Sequence, residues 1–161
     1  MLKHTKGNLI DLAEQGVFDI IVHGCNCQNT MGSGIAKEIR QRHPRSYVAD
    51  TRYHSIQTDP VNMLGNFSLV MIPVGDTGSC TIINAYTQFN YLPRGVDHFE
   101  YESFGLILKK LAHIAPKARF GFPYIGMGLA GGDKDRIIAM LEDFAKKVSS
   151  KGGSVTLVEF G

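Results

Sequence analysis

Apolar positions along the chain follow two different periods. Short runs rich in β-branched residues, such as residues 19–23 (DIIVH), are typical of buried strands. Near the C-terminal end, apolar residues instead recur at spacings of four, three and four positions, which gives a helix one apolar face: Ile137, Leu141, Phe144 and Val148. Because strand and helix patterns alternate, we expect an α/β domain whose sheet is covered by helices on both faces.

The same patterns set the approximate bounds of the other elements. Further strands are predicted over residues 2–6, 67–74, 81–87, 119–125 and 154–160, and helices over 35–40 and about 97–115. Residues 75–79 (GDTGS) favour a hairpin, so we expect a mixed sheet. For residues 47–65 the pattern is weak and predicts one helix and a loop. No linker or repeat divides residues 1–161, which predicts a single domain.

Glycine is the unusual feature of the composition, with 18 among 161 residues. Three lie between Gly24 and Gly34 and five between Gly121 and Gly132. The first group, and all of the second except Gly121, follow a predicted strand and precede a predicted helix. Such a turn directs backbone N–H groups and the positive end of a helix toward one point, which suits a phosphate. Neighbouring strands of an open sheet would place two such turns around a diphosphate. The alternative is that the glycines only form tight turns.

Residues 126–131 (GMGLAG) match the G-x-G-x-x-G pattern of dinucleotide-binding proteins. The acidic residue expected after the next strand is present as Glu159, but it lies beyond the usual distance of about 20 residues. The match also lies at the C-terminal end, with no further strands to complete such a fold, and it leaves the first glycine cluster unexplained. A dinucleotide-binding oxidoreductase is therefore the less favoured alternative.

The densest group of reactive side chains is His23, Cys25, Asn26 and Cys27. The histidine and the two cysteines are possible metal ligands, but the usual pair of C-x₂-C knuckles is missing, and no cofactor or metal is predicted. A nucleophilic cysteine lacks a separate histidine motif, and the alternative is that both cysteines are small buried hydrophobes. His23 ends a strand beside a predicted phosphate turn, which suggests ligand contact, with core packing as the alternative.

Composition excludes several classes of protein. With 17 basic and 15 acidic residues, the chain has too little net charge to indicate nucleic acid as a partner. Three cysteines, an odd number, argue against a disulfide framework and for a reducing compartment. No apolar run is long enough for a membrane span, and no secretory segment begins the chain, so we expect a cytoplasmic protein, in the host cytoplasm if a phage encodes it.

Three motifs together resemble the macrodomain family of ADP-ribose-binding modules. They are residues 6–9 (KGNL), residues 22–28 with 31–36 (VHGCNCQ and MGSGIA) and residues 123–133 (PYIGMGLAGGD). The resemblance covers essentially the whole chain and implies a three-layer α/β/α fold with a central mixed β-sheet. It is strongest to small stand-alone members from phages and bacteria, which resemble the fungal ADP-ribose 1''-phosphate phosphatase with its H-x-C-N-C stretch.

The resemblance also implies roles for matching positions. Asn8 stands where the family usually has an aspartate that accepts a hydrogen bond from adenine, so an aspartate here is expected to bind at least as well. Asn26 matches the asparagine that holds the distal ribose. The two diphosphate loops match residues 32–35 and 126–130, and Leu9 and Gly24 belong to the same motifs. The implied ligand set is therefore Asn8, Leu9, Gly24, Asn26, Gly32, Ser33, Gly34, Ile35, Gly126, Met127, Gly128, Leu129 and Ala130.

The implied chemistry is hydrolysis of ADP-ribose 1''-phosphate, with His23 and Asn26 as the catalytic residues. An unperturbed imidazole suits acid or base catalysis near neutral pH. A glycohydrolase branch of the family instead uses a lysine and an aspartate, which correspond here to Thr87 or Gln88 and to Ala130. Two alternatives stay open: a non-catalytic ADP-ribose reader, and a hydrolase that removes ADP-ribose from protein or nucleic acid, with ADP-ribosylated macromolecules as partners.

Overall fold

A computed structural model describes residues 1–93 and 96–161 of the chain. Within them, six strands and five α-helices alternate along the sequence. In order they are β1 (Leu2–Gly7), α1 (Leu9–Glu14), β2 (Ile20–Asn26), α2 (Gly34–Arg42), α3 (Pro44–Ser55), a short 3₁₀ helix (Pro60–Met63), β3 (Phe67–Val74), β4 (Gly78–Gln88), α4 (Tyr101–Ile114), β5 (Arg119–Phe122), α5 (Lys134–Ser149) and β6 (Ser154–Phe160).

The strands form one sheet in the order β1-β6-β5-β2-β4-β3. All neighbours are parallel except the β3–β4 hairpin, which is antiparallel, so the predicted mixed sheet is confirmed. The strands that precede the two glycine clusters, β2 and β5, are direct parallel neighbours, with Ile20 opposite Phe120. Their carboxyl ends therefore meet at one edge of the sheet, and the two glycine turns lie side by side there.

Two apolar cores lie on opposite faces of the sheet. On one face, α4 and α5 pack against strand residues such as Val22 and Phe120. On the other face, α1, α2 and α3 cover residues such as Ile21 and Ile82. Neighbouring strand residues enter different cores because successive side chains of a strand point to opposite faces. The predicted three-layer α/β/α fold is confirmed. None of the described helices is long and apolar enough to cross a membrane.

Element boundaries are where the structure departs from the sequence-based expectations; among the strands, the one predicted over residues 119–125 ends at Phe122. The six-residue α1 was not predicted, because it is too short to show a period. The weak segment 47–65 contains most of α3 and the 3₁₀ helix. The helix predicted from about position 97 begins instead at Tyr101, since Asp97 forms a turn in which its carboxylate accepts hydrogen bonds from the Phe99 backbone N–H and the Tyr101 hydroxyl.

Candidate ligand-binding site

Two cavities adjoin at the edge of the sheet where β2 and β5 end. The first has a volume of about 330 Å³ and the second about 310 Å³. They have four wall residues in common: Gly34, Ile35, Pro123 and Tyr124. Because these residues belong to both walls, the two cavities form one groove that runs past the N-terminus of α2.

Most residues predicted to meet a ligand line this groove. The first cavity contains Gly24, Asn26, Gly32, Ser33, Gly34, Ile35, Gly126, Gly128, Leu129 and Ala130. The second contains Asn8 and Leu9, together with Gly34 and Ile35. Met127 and His23 line neither cavity: Met127 packs against the core beneath α4 and α5, and His23 is fully buried. The structure thus assembles the predicted set around one groove, apart from these two side chains.

The first loop, between β2 and α2, is held in shape by its own side chains. Asn26 Oδ1 accepts a hydrogen bond from the Gln28 backbone N–H (2.8 Å), and Asn26 Nδ2 donates to Thr30 Oγ1 (2.7 Å). Each of these Asn26 atoms keeps one further hydrogen-bonding position, and Asn26 lines the first cavity. Buried Met31 has a positive φ of 41°, a conformation that costs a non-glycine residue energy and is found mostly at functional loops.

Two helix N-termini at the site differ in how they are capped. At α2, Ser33 makes no side-chain capping hydrogen bond, so the first backbone N–H groups of the helix face the groove without a protein partner from that cap. At α5, the Asp133 side chain accepts from the Arg136 backbone N–H (3.2 Å). The second glycine turn therefore feeds a helix that is already capped by its own carboxylate, and α2 is the better anion site.

The second loop, between β5 and α5, needs glycine at specific points. Gly126 has a φ of +74°, and a Cβ at that position would lie 2.3 Å from the Phe99 ring. Its carbonyl accepts from the Gly132 backbone N–H at 2.7 Å, which closes the loop. Gly128 lines the cavity, and a Cβ there would meet no atom within 4 Å. Packing against Phe99 thus requires glycine at position 126, whereas no contact requires it at position 128, where the loop borders the cavity.

The second cavity is an apolar slot with polar groups at one end. Its walls include Leu9, Ile35, Tyr124, Val158 and Phe160. Asn8 stands at the polar end and caps α1: its Oδ1 accepts from the backbone N–H groups of residues 10 and 11 at 2.9 and 3.0 Å. Both lone pairs of that oxygen are used. The acceptor that the sequence suggests at Asn8 is therefore already occupied.

Glu38 of α2 supplies a carboxylate at the same end of the slot. Its Oε1 accepts from Asn8 Nδ2 (3.1 Å) and from Arg42 (3.2 Å). Glu38 Oε2 has no hydrogen-bond or ion-pair partner among the described residues. Asn8 and Arg42 together orient Glu38, and the free acceptor at this end of the groove belongs to Glu38 rather than to Asn8.

His23 is an interior residue. It is fully buried, and its Nε2 lies 2.6 Å from Asn84 Oδ1. Burial lowers the pKa of His23 to about 4, against the Asn84 hydrogen bond, which raises it. A neutral imidazole without access to the groove favours the core-packing alternative over acid or base catalysis.

The two cysteines beside His23 are also buried. Burial raises the pKa of Cys25 well above its usual value and that of Cys27 to about 12, so both remain protonated thiols at neutral pH. A thiol is a poor nucleophile and a poor metal ligand. Among the described residues, no three histidine, cysteine, aspartate or glutamate side chains are grouped to hold a metal ion.

Asp50 of α3 is the functional candidate that the sequence does not reveal. It lines the first cavity although it is fully buried, and burial raises the pKa of its carboxyl. Its segment shows no clear period, and only the polar pair Ser46 and Asp50, four positions apart, marks a buried polar face on α3. Glu38 has no sequence motif either, because its role depends on contact with Asn8 across thirty positions of sequence.

Comparison with known proteins gives two kinds of relative. No protein-family model matches the chain. A 17.5 kDa uncharacterized protein of Enterobacteria phage T4 is 31% identical over 154 residues, 92% of each chain. An ADP-ribose 1''-phosphate phosphatase of Candida albicans is 25% identical over 152 residues, 89% of this chain and 94% of that protein.

Solved structures share the fold. The macrodomain of Mycobacterium tuberculosis DarG superposes with a TM-score of 0.73 at 18% identity, over 99% of this chain and 97% of that one. A Trypanosoma brucei macrodomain in complex with ADP-ribose gives a TM-score of 0.66 at 15% identity, over 99% of this chain and 63% of that one. At these identities the likeness concerns the fold.

Proposed function

Because the chain belongs to the macrodomain family, we propose that it binds ADP-ribose in the groove formed by its two cavities. The observation that carries the proposal is the continuity of the groove. The second cavity, an apolar slot with one carboxylate at its end, leads past an uncapped helix N-terminus into the first cavity, which is more polar. A planar base, a diphosphate and a sugar require these three environments in this order.

The apolar slot suits the adenine base. Tyr124 and Ile35 offer flat and branched apolar surfaces to a ring, which contributes binding energy through burial. Glu38 Oε2 then accepts from the exocyclic amino group, and Asn8 holds Glu38 in place. A hydrogen bond to a charged acceptor is stronger than one to a neutral amide oxygen.

The middle of the groove suits the diphosphate. The backbone N–H groups at the start of α2 and the partial positive charge of that helix attract an anion. Gly32 and Gly128 bring backbone from the two loops close to the same region, since neither carries a side chain that would keep a phosphate away. Beyond them, Asn26 offers its remaining donor and acceptor to the distal ribose.

We further propose that the chain hydrolyses ADP-ribose 1''-phosphate. In that reaction a water oxygen bonds to phosphorus, the bond from phosphorus to the 1''-oxygen breaks, and ADP-ribose and phosphate leave. Support comes from the Candida albicans phosphatase, which matches nearly the whole chain. Of the two predicted catalytic residues, Asn26 lines the first cavity, whereas His23 is buried and does not.

A non-catalytic reader of ADP-ribose is the second candidate. It is favoured by the burial of His23 and by the protonated thiols of Cys25 and Cys27, which leave no activated base or nucleophile among these three residues. Thr87 and Ala130, at the positions where a related hydrolase carries a lysine and an aspartate, cannot replace those groups.

Two measurements on the same preparation separate these functions. Titration calorimetry with ADP-ribose tests binding, and phosphate release from ADP-ribose 1''-phosphate tests turnover. Binding with phosphate release supports the phosphatase. Binding without release, under saturating substrate, supports the reader and contradicts the phosphatase. The absence of ADP-ribose binding would contradict both.

A further inference from the structure

A chain of buried hydrogen bonds connects His23 to the wall of the first cavity. His23 Nε2 bonds to Asn84 (2.6 Å), Asn84 Nδ2 to Ser68 (3.0 Å), Ser68 to the Tyr86 hydroxyl (2.7 Å), and that hydroxyl to Asp50 Oδ1 (2.7 Å). All five side chains are buried. They come from β2, β3, β4 and α3, so the chain fixes the position of Asp50 relative to the sheet.

In this series of hydrogen bonds, each donor gives its hydrogen to the next residue on the way from His23 to Asp50. Asn84 Nδ2 donates one hydrogen to the Ser46 backbone carbonyl and the other to Ser68 Oγ. The atom that faces His23 is the amide oxygen Oδ1, so His23 Nε2 is the donor in that bond. The Ser68 hydroxyl then donates to Tyr86, and the Tyr86 hydroxyl donates to Asp50 Oδ1. This direction requires Asp50 Oδ1 to be an acceptor and leaves Asp50 Oδ2 as the end of the chain.

Asp50 Oδ2 has no hydrogen-bond partner among the described residues, although it is buried. Burial raises the pKa of this carboxyl, while the bond from Tyr86 and the nearby His54 lower it. Cys25 and Cys27 are the other titratable neighbours, and burial keeps both as neutral thiols. A buried acceptor without a donor is unfavourable until a donor reaches it, and Asp50 belongs to the wall of the first cavity.

Resting on the proposed function, we propose that Asp50 Oδ2 accepts a hydrogen bond from a hydroxyl group of the distal ribose. A sugar hydroxyl supplies the donor that the site lacks, and the sugar is the part that ADP-ribose has and ADP lacks. A phosphate would instead bring its oxygens against a carboxylate. Asp50 therefore selects for ligands that carry a sugar beyond the diphosphate, and Tyr86 is the positioning residue that orients it.

The substitution Asp50→Asn tests the contact with little change in shape. The amide oxygen can still accept from Tyr86, whereas the amide nitrogen replaces the proposed acceptor with a donor. We expect the ADP-ribose affinity to fall about ten- to a hundredfold, as for the loss of one hydrogen bond to a charged group, and the ADP affinity to stay unchanged. The melting temperature should change little, because the amide keeps the shape of the carboxyl group and can still accept the bond from Tyr86. Calorimetry with both ligands and a thermal melt measure these quantities.

Tyr86→Phe is the second variant, since it removes the bond to Asp50 and keeps the ring stacked on Tyr53. Tyr86→Phe should lower the affinity for ADP-ribose more than the affinity for ADP. The loss of ADP-ribose affinity should be smaller than the loss caused by Asp50→Asn. If Asp50→Asn weakens both ligands equally, or neither, while the wild-type protein prefers ADP-ribose, the role of Asp50 is overturned and the proposed function stands. If the wild-type protein binds neither ligand, both are overturned.

Discussion

In each cavity one carboxylate oxygen, Glu38 Oε2 or Asp50 Oδ2, has no protein partner among the described residues, but the surroundings of the two are opposite. At the apolar slot, the Glu38 side chain is 36% exposed, so water can donate a hydrogen bond to Oε2 in the absence of a ligand. In the wall of the first cavity, Asp50 Oδ2 is buried and has no hydrogen-bond partner among the described residues. An exposed polar group costs little, whereas a buried one without a partner costs about 1–3 kcal/mol. In the proposed complex, the end that binds the base is therefore satisfied without a ligand, whereas the end that binds the sugar gains its missing donor from the ligand.

The largest effect is expected at the turn that supports the first cavity. Gly126→Ala would place a methyl group inside the Phe99 ring and force a φ of +74° on alanine, which should lower the free energy of unfolding by about 2–5 kcal/mol. Chemical denaturation measures this loss. Gly128→Ala is the matched control, because its Cβ meets no atom within 4 Å.

Gly128→Ala should instead separate fold from binding. Its stability should stay within about 0.5 kcal/mol of the wild-type value, as is usual for a surface substitution. Its affinity for ADP-ribose should drop, since the added methyl group projects into the cavity where the diphosphate is proposed to lie. If Gly128→Ala bound ADP-ribose with undiminished affinity, the second loop would be a turn that serves the fold alone.

The next effect concerns His23 at the far end of the hydrogen-bond chain. Its pKa is near 6.5 in the unfolded chain and about 4 in the folded protein, so the unfolded state binds more protons between these values. The stabilisation from this depressed pKa is fully present above pH 6.5 and is lost as the pH falls through 4, by roughly 3 kcal/mol.

Denaturation curves measured from pH 7 to pH 4 check this assignment. His23→Gln keeps an N–H donor for Asn84 but does not titrate, so the difference in unfolding free energy between wild type and variant should shrink as the pH falls. Asp50, whose pKa is raised by burial, contributes in the opposite direction and is common to both proteins. A pH-independent difference would mean that His23 is accessible to water in the folded protein.

The smallest effect is expected at the exposed carboxylate of the slot. Glu38→Gln should weaken ADP-ribose about three- to tenfold, because a neutral acceptor forms a weaker bond with the amino group of adenine. The hypoxanthine analogue of ADP-ribose, which carries a carbonyl group in place of that amino group, is the control ligand. The preference of the wild-type protein for adenine should shrink in Glu38→Gln, and an unchanged preference would exclude Glu38 as the base-reading residue.

Asn8→Asp sharpens the same test, because sequence and structure disagree about it. The resemblance to the family implies that an aspartate at position 8 binds adenine at least as well as asparagine. In the structure, Asn8 Nδ2 donates to Glu38 at 3.1 Å, so an aspartate would set two carboxylates against each other. We expect weaker binding of ADP-ribose by calorimetry, with the α1 cap preserved. Tighter binding of ADP-ribose by Asn8→Asp would instead support position 8 as the acceptor for the amino group of adenine.

This contrast shows what could be predicted from the sequence. The sheet could be predicted from the period of the apolar residues, and the neighbouring glycine turns from the two glycine clusters between a strand and a helix. Both signals are local in sequence. The occupied oxygen of Asn8 could not be predicted, because it depends on α1, a helix too short to show a period. Asp50 was missed for a related reason: its partner Tyr86 lies 36 positions away on β4.

His23 illustrates a different limit. Its place at the end of a strand beside a glycine turn suggested contact with the ligand. The direction of a strand side chain decides the matter, and successive residues of β2 alternate between the two faces of the sheet. At His23 the side chain meets Asn84 and Cys25 in the core, while Asn26, at the end of the strand, lines the cavity.

Calorimetric titration with a series of shortened ligands tests the central claim, that the two cavities form one ADP-ribose site. ADP-ribose fills the slot, the loops and the sugar end, ADP leaves the sugar end empty, and AMP also leaves one phosphate position empty. We therefore predict that affinity falls in the order ADP-ribose, ADP, AMP, and that NAD binds more weakly than ADP-ribose because its nicotinamide must be accommodated beyond the sugar. Equal affinities for ADP-ribose and AMP would contradict the single groove, and tighter binding of NAD would favour a dinucleotide-binding protein instead.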